Sequence, residues 1–190
     1  MLRRTFALLA VAALCAPALA GDAEIGAKAP EFKGLPGVDG KEYSLSEMKD
    51  AKAIVVCFTC NICPVAVAYE DRFVEFTKKY AGKGVKFVAI NCNKNSEDLA
   101  AMKTRAEEKG FNFPYVFDKS SKVATEYGAK RTPELYVLDS NHNVVYHGSF
   151  DDKQNSPSKN FVADAVDAVL AGKKPSVTQN TAFGCGIANK

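Results

Sequence analysis

A short apolar segment that leads directly into two closely spaced cysteines constrains this chain most. Residues 53–58 (AIVVCF) are continuously apolar and rich in β-branched side chains, which predicts a strand buried on both faces. The segment from Pro64 to Tyr80 then carries apolar residues at helical spacing and is followed by stop-forming glycines. Cys60 and Cys63 therefore fall in a C-x-x-C spacing where a buried strand gives way to a helix.

The remaining segments alternate between strand and helix patterns. We predict short extended pieces over residues 32–35 and 42–45, further strands over residues 85–90, 115–117, 135–138 and 144–146, and helices over residues 46–49, 95–109, 121–127 and 158–170. Asn95 is the expected N-cap of the second long helix. This order predicts an α/β fold in which helices flank a central mixed sheet on both faces.

The N-terminus has the pattern of an export signal. Arg3 and Arg4 precede an apolar run from Phe6 to Leu14, and Ala18-Leu19-Ala20 offers small residues for cleavage. We expect residues 1–20 to be a cleaved signal peptide, residues 21–171 to form one domain, and residues 172–190 to form a tail. The mature protein is then periplasmic or secreted, in a compartment where disulfides persist. The apolar run is too short for a membrane-spanning helix.

Composition and charge exclude several functional classes. The chain has 25 basic and 22 acidic residues and a net charge of only +3, and its basic residues do not cluster. A nucleic-acid partner is therefore not expected. With 47% apolar residues, the 190-residue chain is long enough for a single domain with a substantial core.

The two cysteines have the residue type and spacing for thiol–disulfide exchange. Cys60 is expected to lie over free backbone N–H groups at the positive end of the following helix, which would lower its pKa below the ordinary ~8.5. We therefore expect Cys60 to be the attacking thiolate and Cys63 to resolve the mixed disulfide. Thr132-Pro133, directly before a predicted strand, favours a cis peptide whose backbone could pair with an extended substrate.

With these motifs the sequence resembles the thioredoxin-like superfamily, specifically its exported redoxin branch, which mixes thiol-oxidoreductase and peroxiredoxin-type traits. The resemblance rests on the Cys60–Pro64 motif, the segment Thr132–Asp139 and the opening Ile25–Phe32, and covers nearly all of residues 25–171. It implies a redox disulfide between Cys60 and Cys63, a cis Pro133 beside it, and no dissociable cofactor. Protein or small-molecule thiols and disulfides would be the substrates, and a dithiol partner would donate electrons.

The chain also departs from the superfamily pattern. Residues 53–59 contain no carboxylate, so the acid usually found beneath the cysteines is missing, and Glu134 and Glu70 are the candidate proton acceptors for Cys63. A peroxiredoxin-like pattern would place Thr three residues before the peroxide-reactive cysteine, whereas Cys57 stands three before Cys60. A thiol peroxidase using Cys60 is therefore the alternative function rather than the leading one.

Three further cysteines are possible accessory residues. Cys57 lies within a predicted strand, where it would be a small buried hydrophobe, a disulfide partner or a third redox thiol. Cys92 ends the next strand as a packed thiol or a disulfide partner. Cys185, in the Gly-rich tail, could remain unpaired, reach the active site, or pair with Cys92 or Cys57.

An alternative of another class is a copper- or zinc-binding module. His142 or His147 could join the cysteines in copper binding, and Cys92 could be recruited for zinc. An iron–sulfur site would need a fourth cysteine close to the Cys57–Cys63 run, and none follows before Cys92. We therefore assign no metal ligands from the sequence.

Overall fold

A computed structural model describes residues 23–93 and 97–187. The predicted signal peptide and the predicted N-cap Asn95 lie outside the described residues. The strands are β1 Leu35–Pro36, β2 Glu42–Tyr43, β3 Ala53–Thr59, β4 Val85–Asn91, β5 Tyr115–Phe117, β6 Arg131–Thr132, β7 Glu134–Asp139, β8 Val144–Gly148 and β9 Cys185–Gly186. The helices are α1 Pro64–Tyr80, α2 Leu99–Lys109, α3 Lys122–Tyr127 and α4 Phe161–Leu170, with a 3₁₀ helix at Leu45–Met48.

Five strands form the central sheet in the order β5-β4-β3-β7-β8. β3, β4 and β5 are parallel, whereas β7 and β8 run antiparallel to their neighbours. The predicted mixed sheet with helices on both faces is confirmed. β3 lies at its centre, where Cys57 is opposite Ala89 of β4 and Leu135 of β7. This position explains why the whole segment is apolar, since neither face meets water.

Alternate side chains of β3 enter two separate cores. Val55 and Cys57 face the core formed with α1, α2 and α4, whereas Ile54, Val56 and Phe58 face the core formed with α3 and the N-terminal segment. The first core is rich in aromatic side chains from α1, namely Tyr69, Phe73, Phe76 and Tyr80. Because β3 packs into both cores and α1 into the first, the cysteine turn between them is anchored at both ends.

Two helices begin later than the sequence indicates, and side-chain oxygens explain both differences. Asp98 is the N-cap of α2, with its carboxylate accepting from the Ala101 N–H at 2.8 Å. In α4 the predicted first turn at Ser158 is not helical. The Asp152 carboxylate accepts from the backbone N–H groups of Ser158 and Lys159 at 2.8 and 3.0 Å, and the Asp152 N–H donates to the Lys159 carbonyl at 3.3 Å. This carbonyl is therefore bonded to Asp152 instead of to an N–H of the helix.

The tail contains a strand that the sequence patterns do not predict. β9 pairs antiparallel with β6, placing Cys185 opposite Thr132 and Gly186 opposite Arg131. Further upstream, the tail is bonded to β8 through the N–H and carbonyl groups of His147. Among the described residues, every helix is too short or too polar to cross a membrane.

Candidate dithiol active site

The cysteine turn lies between the end of β3 and the start of α1. Cys63 is the N-cap of α1, and its sulfur accepts from the Ala66 N–H at 3.5 Å. Pro64 follows at the first helical position, where a missing N–H leaves no intrahelical bond unmade. Cys63 rather than Cys60 therefore lies at the positive end of the helix dipole.

This geometry favours the thiolate of Cys63. Burial alone would raise its pKa, but hydrogen bonds from the Cys185 thiol, the Ala66 N–H and the Thr132 hydroxyl outweigh burial and lower the pKa below its ordinary value. The carbonyl oxygen of Thr132 lies 3.1 Å from the sulfur and accepts from the thiol form. Because the pKa of Cys63 is lowered and that of Cys60 is raised, Cys63 is the more acidic of the two thiols in the C-x-x-C motif.

The predicted low pKa of Cys60 is wrong. Burial raises the pKa of Cys60, and the nearby carboxylate of Glu97 raises it further. Hydrogen bonds from the Thr132 hydroxyl and the Cys63 N–H lower this pKa, but the net shift is upward. The physical reason is positional, because Cys60 lies in the turn before the helix cap. It therefore lacks the direct hydrogen bond from a first-turn N–H that Cys63 receives.

Thr132 and Pro133 approach both sulfurs from β6. The Thr132–Pro133 peptide is cis, as predicted. The Thr132 hydroxyl lies 3.5 Å from the Cys60 sulfur, and its carbonyl oxygen lies 3.1 Å from the Cys63 sulfur. The backbone edge of β6, which we expected to bind an extended substrate, is already paired with β9.

Pairing of β9 with β6 brings Cys185 to the Cys60–Cys63 pair. Its thiol donates a hydrogen bond to the Cys63 sulfur, and burial and this bond raise the pKa of Cys185 to about 11, the bond contributing most. Gly184 makes the close approach possible, since a Cβ there would lie 2.1 Å from the Thr132 carbonyl oxygen. Of the partners considered for Cys185, the structure thus selects the active-site pair rather than Cys57 or Cys92.

A pocket of about 130 Å³ opens beside the sulfurs. Its walls are formed by Cys60, Ile62, Cys63, Cys92, Asn93, Thr132, Cys185, Gly186 and Ile187. Ile62 is 58% exposed at its rim, a large apolar side chain in contact with solvent.

Burial raises the pKa values of Cys92 and of the fully buried Cys57 beyond the ordinary thiol range. Both thiols are therefore expected to stay protonated.

Within the described part of the chain, neither carboxylate considered as proton acceptor is bonded to a cysteine. Glu134 accepts from the backbone N–H groups of Lys130 and Arg131 and pairs with the His147 ring at 2.5 Å. Glu70 forms two hydrogen bonds with the Arg105 guanidinium, at 2.9 and 2.6 Å. Glu134 therefore holds the β6 backbone, and Glu70 joins α1 to α2.

Glu97 is a residue of the site that no local sequence motif indicates. Its carboxylate accepts from the Asn61 N–H at 2.6 Å and from the Asn91 side chain at 2.5 Å. The Tyr115 hydroxyl donates to the Asn61 side chain at 2.7 Å, which completes a polar network behind the cysteine turn. The available signal was topological, because Glu97 follows a strand parallel to β3 and so lies near the same sheet edge.

The two histidines lie away from a metal-binding arrangement. His147 is stacked on the Tyr136 ring and paired with Glu134, and His142 occupies a turn with a positive φ. Across residues 23–93 and 97–187, no group of three or more His, Cys, Asp or Glu residues could hold a metal ion.

The fold and site define a thioredoxin-like protein with a dithiol at the start of a helix. Residues 24–166 match the Redoxin family, and the chain belongs to it. Peroxiredoxin-2 of Macaca fascicularis is 28% identical over 134 residues, covering 63% of this chain and 66% of that protein. The chain thus matches slightly less than two thirds of this relative's length. Family membership supports thiol redox chemistry and an oxidoreductase activity.

Solved structures show the same fold. A hypothetical protein from Sinorhizobium meliloti 1021 is 36% identical, with a TM-score of 0.81 over 88% of this chain and 95% of that chain. A thiol-disulfide oxidoreductase from Bacteroides fragilis NCTC 9343 is 21% identical, with a TM-score of 0.56 over 64% of this chain and 89% of that chain. The second similarity concerns the fold alone.

Proposed function

We propose that this protein is an exported thiol–disulfide oxidoreductase in which Cys63 is the attacking thiolate and Cys60 a resolving thiol. The observation that carries this proposal is the position of Cys63 as the N-cap of α1, within hydrogen-bonding distance of donors that lower its pKa. Cys60 packs with Cys63 and Ala66 in one small cluster, and its sulfur accepts a hydrogen bond from the Cys63 N–H. Export is supported by the pattern of residues 1–20.

The exchange proceeds through two sulfur transfers. The Cys63 thiolate attacks a substrate disulfide, forming a mixed disulfide and releasing the first substrate thiolate. Cys60 then loses its proton and attacks the Cys63 sulfur, which releases the second thiolate and leaves a Cys60–Cys63 disulfide. An external dithiol returns the pair to the reduced form and is itself oxidised to a disulfide. No dissociable cofactor is needed.

Catalysed reduction of oxidised glutathione by a small dithiol tests the proposal. We expect Cys63→Ser to reduce the rate to that of the uncatalysed exchange, because Ser cannot form the mixed disulfide. Cys57→Ala is the matched control, since Cys57 is fully buried in β3 and should leave the rate unchanged. A Cys63→Ser protein with wild-type activity would overturn the assignment. Cleavage after Ala20, read from the intact mass of the exported protein, tests the signal.

Peroxide reduction is a second candidate, favoured by the peroxiredoxin relatives. From the sequence, Cys60 is the expected peroxide-reactive thiol. The lowered pKa of Cys63 and the raised pKa of Cys60 favour Cys63 instead. Stopped-flow oxidation by hydrogen peroxide distinguishes the two functions. A dithiol oxidoreductase should react no faster than an ordinary thiolate, and a rate constant several orders of magnitude higher would favour the peroxidase.

A further inference from the structure

The tail is bonded to the domain along two strands. The His147 N–H donates to the Thr178 carbonyl at 3.0 Å, and the Asn180 N–H donates to the His147 carbonyl at 3.1 Å. Further along, the Ile187 N–H donates to the Lys130 carbonyl at 3.0 Å, next to the β6–β9 pairing. The tail is thus held on both sides of Cys185.

Two glycines leave the space that the tail requires. A Cβ on Gly148 would lie 2.1 Å from the Asn180 side-chain oxygen and 2.8 Å from its carbonyl oxygen. A Cβ on Gly184 would lie 2.1 Å from the Thr132 carbonyl oxygen. Since any larger residue would collide at these positions, the docked tail depends on glycine on each side of the contact.

Cys185 lies beside the Cys60–Cys63 pair, on a strand that occupies the β6 edge and lines the same pocket. Its strand is paired with the β6 edge beside the cis proline, and its thiol contacts the Cys63 sulfur. From this geometry we infer that Cys185 is a third redox thiol, which resolves adducts on Cys63 by forming a Cys63–Cys185 disulfide. The inference rests on the proposed role of Cys63 as nucleophile.

The step balances without an added oxidant. In the mixed disulfide, Cys63 is bonded to a substrate sulfur; Cys185 loses its proton to solvent, attacks the Cys63 sulfur, and displaces the substrate as a thiolate. The Cys60 thiolate can then attack Cys63, which transfers the disulfide to Cys60–Cys63 and frees Cys185. Neither step changes the total number of disulfides.

The charge on Cys63 would control the timing of this step. The hydrogen bond to Cys63 is the largest cause of the raised pKa of Cys185. Once Cys63 is in a mixed disulfide it carries no negative charge, so this cause is removed and Cys185 ionises more readily. The Val65 N–H, in the first turn of α1, then stabilises the Cys185 thiolate. Cys185 is therefore the better nucleophile after Cys63 has reacted than before.

The test exposes the reduced Cys60→Ser protein to oxidised glutathione and maps its disulfides by mass spectrometry. We expect a Cys63–Cys185 disulfide and no retained glutathione. The Cys60→Ser/Cys185→Ser protein should instead retain one glutathione on Cys63. A Cys60→Ser protein in which Cys185 remains a free thiol, with or without glutathione on Cys63, would overturn the inference.

A pair of glycine variants in the Cys60→Ser background separates docking from the mere presence of Cys185. Gly184→Ala should displace β9 and lower the yield of the Cys63–Cys185 disulfide at least tenfold, so that glutathione stays on Cys63. Gly186→Ala is the matched control, because a Cβ there meets no atom within 4 Å. Equal yields in the two variants would contradict a role for the docked strand.

This mapping is independent of the test of the proposed function. If the wild-type protein does not catalyse exchange but the Cys60→Ser protein forms the Cys63–Cys185 disulfide, only the catalytic proposal is rejected. Normal catalysed exchange with retained glutathione in Cys60→Ser would reject only the role of Cys185.

Discussion

The Cys63 sulfur accepts a hydrogen bond from the Cys185 thiol, and this bond shifts the two pKa values in opposite directions. It contributes to lowering the pKa of Cys63 and to raising that of Cys185 to about 11. A proton shared between two sulfurs thus remains on Cys185 while Cys63 carries the negative charge. The C-terminal segment is therefore part of the candidate dithiol site.

Replacing the Cys185 donor should change the acidity of Cys63. We expect Cys185→Ala to raise the pKa of Cys63, because burial then acts against fewer hydrogen-bond donors. Cys185→Ser keeps a donor and should raise it less. The ultraviolet absorbance of the thiolate against pH, recorded in a Cys60→Ser background, measures both shifts. Identical titrations for the Ala and Ser variants would contradict this origin of the lowered pKa.

The Thr132 hydroxyl should affect both active-site thiols. Thr132→Val removes the hydroxyl at nearly constant shape, and we expect the pKa values of Cys60 and Cys63 to rise together. Thr132→Ser retains the donor and should behave like the wild type. The pH dependence of alkylation, followed separately at each cysteine by mass spectrometry, provides the measurement. A shift at neither cysteine would show that the hydroxyl does not stabilise the thiolates.

The Glu97 carboxylate should restrain the ionisation of Cys60. Burial is the main cause of the raised pKa of Cys60, and Glu97 adds to it electrostatically. We therefore expect Glu97→Gln to lower the pKa of Cys60, so that its alkylation begins at lower pH. Glu107→Gln, on the exposed face of α2, is the control and should have no effect. A rise in the Cys60 pKa in Glu97→Gln would contradict the electrostatic origin.

Glu134 should stabilise the fold above acidic pH. Glu134→Ala leaves the Lys130 and Arg131 N–H groups without their acceptor, and we expect it to lower the free energy of unfolding by about 1–3 kcal/mol. Burial would raise the pKa of Glu134, but the hydrogen bond with His147 and the two N–H groups lower it overall. A lowered folded-state pKa gives stability that is complete above the unfolded value of about 4.3 and is lost as pH falls through the folded value.

Urea unfolding at neutral and acidic pH measures this contribution. The difference between wild type and Glu134→Ala should shrink as the pH falls below ~4. Glu75→Ala is the control, since Glu75 forms only an exposed pair with Lys78, and should cost less than about 1 kcal/mol. A difference for Glu134→Ala that is independent of pH would show that its charge does not stabilise the fold.

Local patterns were sufficient for most of the fold. The apolar β3 segment, the helical spacing of α1 and the Thr132-Pro133 dipeptide each reflect interactions within a few residues, and the structure confirms all three. Helix starts were less accurate, because Asp152 satisfies the backbone at Ser158 and delays α4. A hydrogen bond from a distant side chain to the backbone depends on the folded position of that side chain, which the spacing of apolar residues does not predict.

Local residue patterns were enough to predict two cysteines between a buried strand and a helix, next to a proline that favours a cis peptide. Which sulfur is the more acidic follows from the folded arrangement, because the pKa values depend on groups that are distant in the chain. Folding places Glu97 beside Cys60, and β9 brings Cys185 to Cys63. Spacing can place two sulfurs at a helix start, but the donors and charges that surround each sulfur are assembled only when the sheet and its tail come together.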